Sequence, residues 1–533
     1  MKTKVLLTAL IFFFFVGAKA TTFEVGGIWY TITANQTVCL VPEPTASGSG
    51  ASFTIRKVYE GDIVIPEVVS YGDMEYTVTA VKDGTFKESP KLTSVSIPAT
   101  VKELGETPFS ACGKLNTITV SQENSAYSTV DGLLYDKSVT RLIACPGTKT
   151  GDIVIPSTVT AIAKSAFHGC ASITSVTIPQ TVNSVGACAF NGCKKLTGIV
   201  LPEGVSCVGD SMFYSCTSMN SVTLPKTITY IGVNAFYHCN LIKSLTLPDA
   251  VEDIKERAFN LCYGLTSVKM SSNLRHLGYR AFDNCSKLKA ITIPATLTTM
   301  DSLAFCGCSE LRRIDVAEDN NFYCSDDGVV FDKSMTTLIC CPAGKIGDYF
   351  VPSSVTTIGE FGFYYCRSLQ SIILPISLVS IKSHAFRFCS ALKTIALPPR
   401  LSNIHQDAFS KCSNLKSFLC YSTTVPTVLS STFNANNYNI PLYVPKSAIS
   451  EYQSAGCWQN FISIQPISSE IVEGLLGDAN GDGEVSITDV MIAVNDIVGQ
   501  NQSMFAWQMV DTNFDGEISF ADVSSIVSMI LRE

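Results

Sequence analysis

Two stretches near the C-terminus place oxygen-bearing side chains at a spacing that suits a hard cation. The first reads Asp478-Ala479-Asn480-Gly481-Asp482-Gly483-Glu484-Val485-Ser486-Ile487-Thr488-Asp489. The second begins 33 residues later and reads Asp511-Thr512-Asn513-Phe514-Asp515-Gly516-Glu517-Ile518-Ser519-Phe520-Ala521-Asp522. A twelve-residue calcium loop offers oxygens from positions 1, 3, 5, 9 and 12 and a backbone carbonyl from position 7, with glycine at position 6 for the sharp turn. That pattern selects Asp478, Asn480, Asp482, Ser486 and Asp489, and in the second loop Asp511, Asn513, Asp515, Ser519 and Asp522. Glu484 and Glu517 would lend their carbonyls, and Ser486 and Ser519 can act through water. One such loop could be a surface turn rich in Asp and Gly; two in register predict two bound Ca2+ ions.

Charge supports this reading. Residues 477–533 hold ten acidic side chains and one basic one, Arg532, so against a net charge of −8 the rest of the chain is nearly neutral. Acidity gathered at regular offsets fits a cation site better than a solvated tail, and the overall sign argues against nucleic-acid binding. Apolar residues recur at helical spacing after each loop: Val490, Ala493, Val494 and Ile497, then Val523, Ile526, Val527 and Ile530. Two helices should therefore pack face to face in a small all-α module whose folding depends on the metal.

Catalytic chemistry is harder to find. The five histidines, His168, His238, His276, His384 and His405, share no common phase. There is no His-Glu-x-x-His helix, Gly-x-Ser-x-Gly elbow or phosphate-cradling glycine loop. Nothing marks a carboxylate pair for glycoside hydrolysis. The expectation is a protein that is not an enzyme.

The larger part of the chain is governed by a repeat. Phe recurs every 23 residues at Phe167, Phe190, Phe213, Phe236, Phe259, Phe282 and Phe305. The series extends back to Phe86 and Phe109 and forward through Phe363, Phe386 and Phe409. Ile173-Thr-Ser-Val176-Thr-Ile178-Pro179 alternates as a strand does, and the proline ends it. A Val-x-x-Ile-Gly segment follows, its glycine read as the residue that allows a bend. The Phe then turns inward, on a short helical turn. One unit cannot bury its apolar face alone, so the units must stack. Two gaps, 109 to 167 and 305 to 363, match each other at an offset of 196 residues. Each carries Asp-Gly between apolar pairs, at Asp131-Gly132 and Asp327-Gly328, and should form a hairpin.

Eleven of the 21 cysteines lie three residues after a repeat Phe, from Cys112 to Cys412. They should stack as a ladder of buried thiols in preference to bridges or a zinc site, because zinc needs ligands that converge. Cys306-x-Cys308 and Cys340-Cys341 are the best alternatives. The outward strand row, at Ser96, Thr119, Thr177, Thr223, Thr246 and Thr292, should be hydroxyl-rich, nearly uncharged and poor in aromatics.

The consensus Leu-x-x-Ile-x-Ile-Pro-x-x-Val-x-x-Ile-Gly-x-x-Ala-Phe-x-x-Cys resembles the BspA-like leucine-rich repeats of bacterial surface proteins. That resemblance implies a right-handed, strand-dominated α/β repeat solenoid used in adhesion or partner binding. Residues 477–533, with Asp at position 12 and no clear helix before the first loop, resemble a type I dockerin, which implies attachment to a cohesin-type domain. The positions that would carry recognition are Ile487, Thr488, Val494 and Asn495, and Phe520, Ala521, Val527 and Ser528. The basic residues often found in those helices are missing, which bears on cohesin binding but not on calcium.

Residues 1–20 read as a secretion signal, with Lys2 and Lys4 before an apolar run and Ala18-Lys19-Ala20 at the cleavage point. The expected order is a signal at 1–20, an N-terminal β cap at 21–60, and the solenoid at 61–420 with insertions near 120–150 and 316–346. A C-terminal cap and linker at 421–470 and the dockerin-like module at 477–533 complete it. The expected function is that of a secreted or surface binding, adhesion or scaffold protein, with no membrane span after cleavage and an unidentified macromolecular ligand for the solenoid. The alternative is an enzyme or component of an extracellular polysaccharide-degrading complex.

Overall fold

Short strands bounded by Pro and Gly dominate the chain because each repeat offers only a few alternating residues before its next turn. In the computed structural model the described residues are 21–34, 36–42, 59–468, 477–480, 485–498 and 507–531. The expected signal at 1–20 and the ligand candidates Asp482 and Glu484 lie outside them. Among the described residues no helix is long and apolar enough to cross a membrane.

The described residues form two compact units. The first comprises residues up to 150 together with 158–171. Its N-terminal strands Thr22–Val25, Ile28–Ala34 and Thr37–Leu40 form an antiparallel meander. Thr37–Leu40 then pairs in parallel with Met74–Val81. Glu60–Val64, Lys91–Ile97 and Thr117–Val120 make a second, parallel ladder. Phe86 lies between Tyr59 and Phe109, with ring centroids 5.0 and 5.7 Å away.

The second unit, residues 151–157 and 172–533, holds most of the coils. Each regular coil contributes two strands. One is the alternating segment, as in Gly198–Val200 beside Ser221–Thr223. The other has two residues and arises from the Val-x-x-Ile segment. Cys207–Val208, Tyr230–Ile231, Asp253–Ile254, His276–Leu277 and Thr299–Met300 pair successively in parallel. Two sheets therefore enclose the core, and the second is not expected from a segment with so short an alternation.

Between the sheets the repeat phenylalanines stack. From Phe190 to Phe305 neighbouring ring centroids lie 5.0–5.7 Å apart, with planes inclined by at most 22°. The glycine after Ile has a different role from the one its sequence suggests. Gly209, Gly232 and Gly278 do not adopt positive φ. A Cβ on Gly232 would meet Asp210 N at 2.6 Å, and one on Gly278 would meet Glu256 N at 2.8 Å. The glycine is needed for close approach of adjacent coils, while the left-handed bends fall on residues such as Asn234, His238, Arg257 and Leu261.

The cysteine ladder is hydrogen-bonded as well as buried. Cys112, Cys216, Cys239, Cys262, Cys285, Cys308, Cys389 and Cys412 each donate a thiol to the carbonyl of the Phe 26 residues earlier, at 2.9–3.2 Å. Except at Phe86, each of these carbonyls also accepts from the N–H of the Cys three residues on, so the thiol, a weak donor in a dry interior, adds a second bond from the next coil. All 21 cysteines are free thiols. Burial pushes Cys216, Cys262 and Cys412 up to about 12. The thiolate is the nucleophile, so the ladder should resist alkylation by iodoacetamide at neutral pH and react fully on unfolding. Mass spectrometry of the labelled protein reads this directly; stoichiometric labelling of the folded ladder would refute it.

Both matched insertions are hairpins. Tyr127–Val130 pairs antiparallel with Leu133–Asp136, and Tyr323–Asp326 with Val329–Asp332. Asp131, Gly132, Asp327 and Gly328 all have positive φ, as a primed two-residue turn requires. Each hairpin is pinned by a buried asparagine. Asn124 donates to Pro98 O and Val101 O at 2.7 and 2.9 Å, and accepts from Ala126 N and Tyr127 N at 2.8 and 2.9 Å. Asn320 repeats this with Pro294, Leu297, Phe322 and Tyr323. Asn124→Ala strands buried carbonyls, at a cost of roughly 1–3 kcal/mol. Faster amide exchange in the Tyr127–Asp136 hairpin should reveal it; unchanged exchange would contradict the pinning.

Beyond the regular coils, Leu442–Val444 and Ile464–Pro466 extend the outer strand ladder from Ser417–Cys420. Tyr452, Trp458 and Phe461 are buried against it. Trp458 Nε1 donates to Pro426 O at 2.9 Å, and Tyr452 Oη to Ser422 O at 2.9 Å. These rings close the core.

Candidate metal centre

The two loops lead into helices as their apolar periodicity predicts, at Ile487–Ile497 and Phe520–Ile530. Val490, Ala493 and Ile526 are buried together with Ala479 and Val510, and Val494, Val523, Val527 and Ile530 pack against them. Ile497 contributes less than its spacing suggests and is only partly buried.

Each helix begins with a capping box. Ser486 accepts from Thr488 N at 3.2 Å, while Asp489 Oδ2 accepts from Ser486 N at 2.8 Å. Ser519 and Asp522 repeat this at 3.1 and 3.0 Å. Position 9 and position 12 of each loop are thus the N-cap and N3 residues of the following helix. The Ser-x-x-Asp signature for this was present in the sequence. The second oxygen of each Asp reaches back across the loop. Asp489 Oδ1 accepts from Ala479 N at 2.8 Å, and Asp522 Oδ1 from Thr512 N at 3.0 Å.

In the second loop Asp511 accepts from Asp515 N and Gly516 N at 3.1 and 2.9 Å. Asn513 Oδ1 accepts from Asp515 N at 2.9 Å, and Asp515 Oδ1 from Glu517 N at 2.8 Å. Asp511 and Asp522 are buried, whereas Asn513, Asp515 and Glu517 are exposed. In the first loop Asp478 and Asp489 are buried and Asn480 and Ser486 half-buried. Among the described residues no three His, Cys, Asp or Glu side chains form a ready metal cluster; the oxygens are engaged by the loop's own N–H groups.

The chemistry of the donor set nevertheless suits calcium. Burial pushes Asp511 up to about 7 against the hydrogen bond from Gly516, and the Asp515 and Asp522 carboxylates push the same way. This is a carboxylate group short of positive charge. The donors are oxygens only, the choice of a hard cation.

Of the outward positions, Ile487 and Phe520 are 67% and 63% exposed, large apolar side chains left in water. Thr488, Ala521 and Ser528 are exposed, and Asn495, Val494 and Val527 half-buried. Elsewhere, Ser110 Oγ lies 2.7 Å from His168 Nδ1, the contact a nucleophile and base would make. Ser110 is buried, and burial also pulls His168 below its ordinary range. His276 instead bridges coils, 2.8 Å from Asp253 and 3.2 Å from Asp301.

Comparison with known proteins agrees with the repeat and the module. The profile described as BspA type Leucine rich repeat region matches residues 69–134, 144–262, 229–338 and 340–457. The profile described as Dockerin type I domain matches residues 476–531. No curated protein matches the chain. Among solved structures, a leucine-rich repeat protein from Bacteroides ovatus is 25% identical, with 84% of this chain and 100% of that chain covered and a TM-score of 0.46. A leucine rich cell surface protein from Faecalibacterium prausnitzii is 25% identical over 85% of this chain and 96% of that chain, with a TM-score of 0.37. A leucine-rich repeat protein from Eubacterium ventriosum is 21% identical over 64% and 82%, with a TM-score of 0.39.

Proposed function

Since this chain belongs to the BspA-type leucine-rich-repeat family and carries a type I dockerin domain at its C-terminus, we propose that it is a secreted or surface-held, non-enzymatic binding protein. Its solenoid contacts a macromolecule, and its tail attaches it to a cohesin-bearing partner when calcium is bound. The observation that carries this reading is the pair of loops in register, each closed by a buried Asp that also caps the next helix.

Two calcium ions are assigned to the tail. Asp478, Asn480, Asp482, Ser486 and Asp489, with the Glu484 carbonyl, would hold the first. Asp511, Asn513, Asp515, Ser519 and Asp522, with the Glu517 carbonyl, would hold the second. Calcium supplies the positive charge that lets these carboxylates share a small volume. The residues themselves then hold the loop ends together and fix the helix starts, which sets Ile487 and Phe520 outward for a partner.

Capture tests the attachment. The immobilised full-length chain should retain type I cohesin domains in calcium and release them in chelator. Retention that ignores calcium, or none across a broad cohesin panel, would overturn it. Sustained release of reducing sugar by the purified chain would overturn the non-enzymatic part.

A further inference from the structure

The outward strand row changes character along the second unit. At Thr223, Thr246, Lys269 and Thr292 it is polar and exposed. Further on it reads Phe350, Ile373, Ala396, Leu419 and Tyr443, none of them exposed. The expectation of a uniformly hydroxyl-rich face poor in aromatics therefore fails over these coils. The tail module packs on the last three, Ala396, Leu419 and Tyr443. Trp507, just before the second loop, is fully buried, and its Nε1 donates to Leu374 O at 2.6 Å. Its ring meets Tyr421 edge-on at 4.7 Å. Leu419, Tyr421, Ile467 and Trp507 form one apolar cluster, with Ala396, Phe514 and Ile518 packed on it.

Phe514 and Ile518 are loop residues, so the second loop itself lies against the solenoid. Gly516, at its sixth position, is pressed onto the strand backbone: a Cβ there would meet Tyr421 O at 2.7 Å. Glycine is thus required twice, for its φ of +86° and for this approach. The Tyr421 hydroxyl is buried beneath the loop and has no hydrogen-bond partner among the described residues.

We propose that the second loop and the apolar end of the strand face form a calcium-controlled joint: the loaded loop locks the tail module onto the solenoid, and its emptying releases the module and uncovers the apolar strip. The joint rests on the calcium reading of the tail. The strip's occupant is residues 507–518 of the same chain: Trp507, Phe514 and Ile518 pack with Ala396, Leu419, Tyr421 and Tyr443. A loop that loses its ion loses the fixed turn that holds Phe514, Gly516 and Ile518 in place. Its carboxylates then repel one another beside an apolar surface. The attachment module would be rigidly oriented on its solenoid only while calcium is present.

The test uses the full chain with fluorinated tryptophan, whose three 19F resonances report Trp29, Trp458 and Trp507, the last assigned with Trp507→Phe. In calcium, Trp507 should show a dispersed, water-shielded signal. Chelator should move that resonance alone to its solvent-exposed value. Ala396→Glu, which puts a charge in the strip without touching a ligand, should expose Trp507 even in calcium, with tail helicity and solenoid melting unchanged. By linkage it should weaken calcium at one site, roughly tenfold. A Trp507 signal that stays put while calcium is measurably taken up and released would overturn the joint alone, as would an Ala396→Glu chain indistinguishable from the parent. Absence of any calcium uptake would overturn the underlying reading of the tail as well.

Discussion

Alanine at both Asp489 and Asp522 is expected to abolish calcium uptake by the full chain and to melt the two tail helices. Each Asp is buried at the twelfth position of its loop, where it is the N3 partner of a capping box and the acceptor for the loop's opening N–H groups, and it is the ligand proposed for that position. Losing the N3 half of a capping box, with the N-cap Ser still in place, costs no more than about 1 kcal/mol. Losing the ion costs far more, because two helices of 11 residues each are too short to persist without tertiary support. Their shared core is small, with five buried apolar residues among the described ones. The loss should appear in far-ultraviolet circular dichroism as the same helical decrement that chelator produces in the parent, and chelator should add nothing further. The solenoid, whose interior core is distinct from that of the module, should keep its own melting transition apart from the loss of the Trp507 contact. A double variant that keeps calcium-dependent helicity would show that these carboxylates do not hold the ion.

The second large effect lies in the phenylalanine stack. Phe236 is fully buried between Phe213 and Phe259, both centroids 5.2 Å away. Phe236→Ala removes a ring from a close-packed row that cannot collapse, because each backbone coil is fixed by its neighbours on both sheets. The expected cost is about 3–5 kcal/mol, with two lost ring pairs placing it toward the upper end. In a repeat array the damage is felt first by adjacent coils. Cys216, Cys239 and Cys262 should therefore become open to alkylation before the distant Cys389 and Cys412 do. Destabilisation below about 1 kcal/mol, or uniform labelling along the ladder, would mean that the rings do not carry the core.

The Phe and Cys positions were readable because a 23-residue period leaves no other explanation for their recurrence, and the Asp-Gly turns because that dipeptide suits positive φ at both positions. Other features escaped for physical reasons. The second strand of each coil has two residues, too few to alternate. The interior glycine looks like a bend residue, yet its lack of a Cβ serves a contact with the preceding coil, which no single repeat reveals. The thiol-to-carbonyl bonds link residues 26 apart and are a property of stacking. In the tail, the loop spacing could be read directly, and the capping role of Ser486 and Ser519 was there in Ser-x-x-Asp. The contact of Trp507 with Leu374 spans 133 residues, and only the folded chain brings them together.

In the proposed function, calcium folds and aims the acidic tail. Native mass spectrometry of the full chain, with calcium and after chelation, tests it most directly. The mass should rise by two calcium ions, an increase lost in chelator and absent from the Asp489→Ala, Asp522→Ala chain; a mass that calcium leaves unchanged would show that the tail does not bind it.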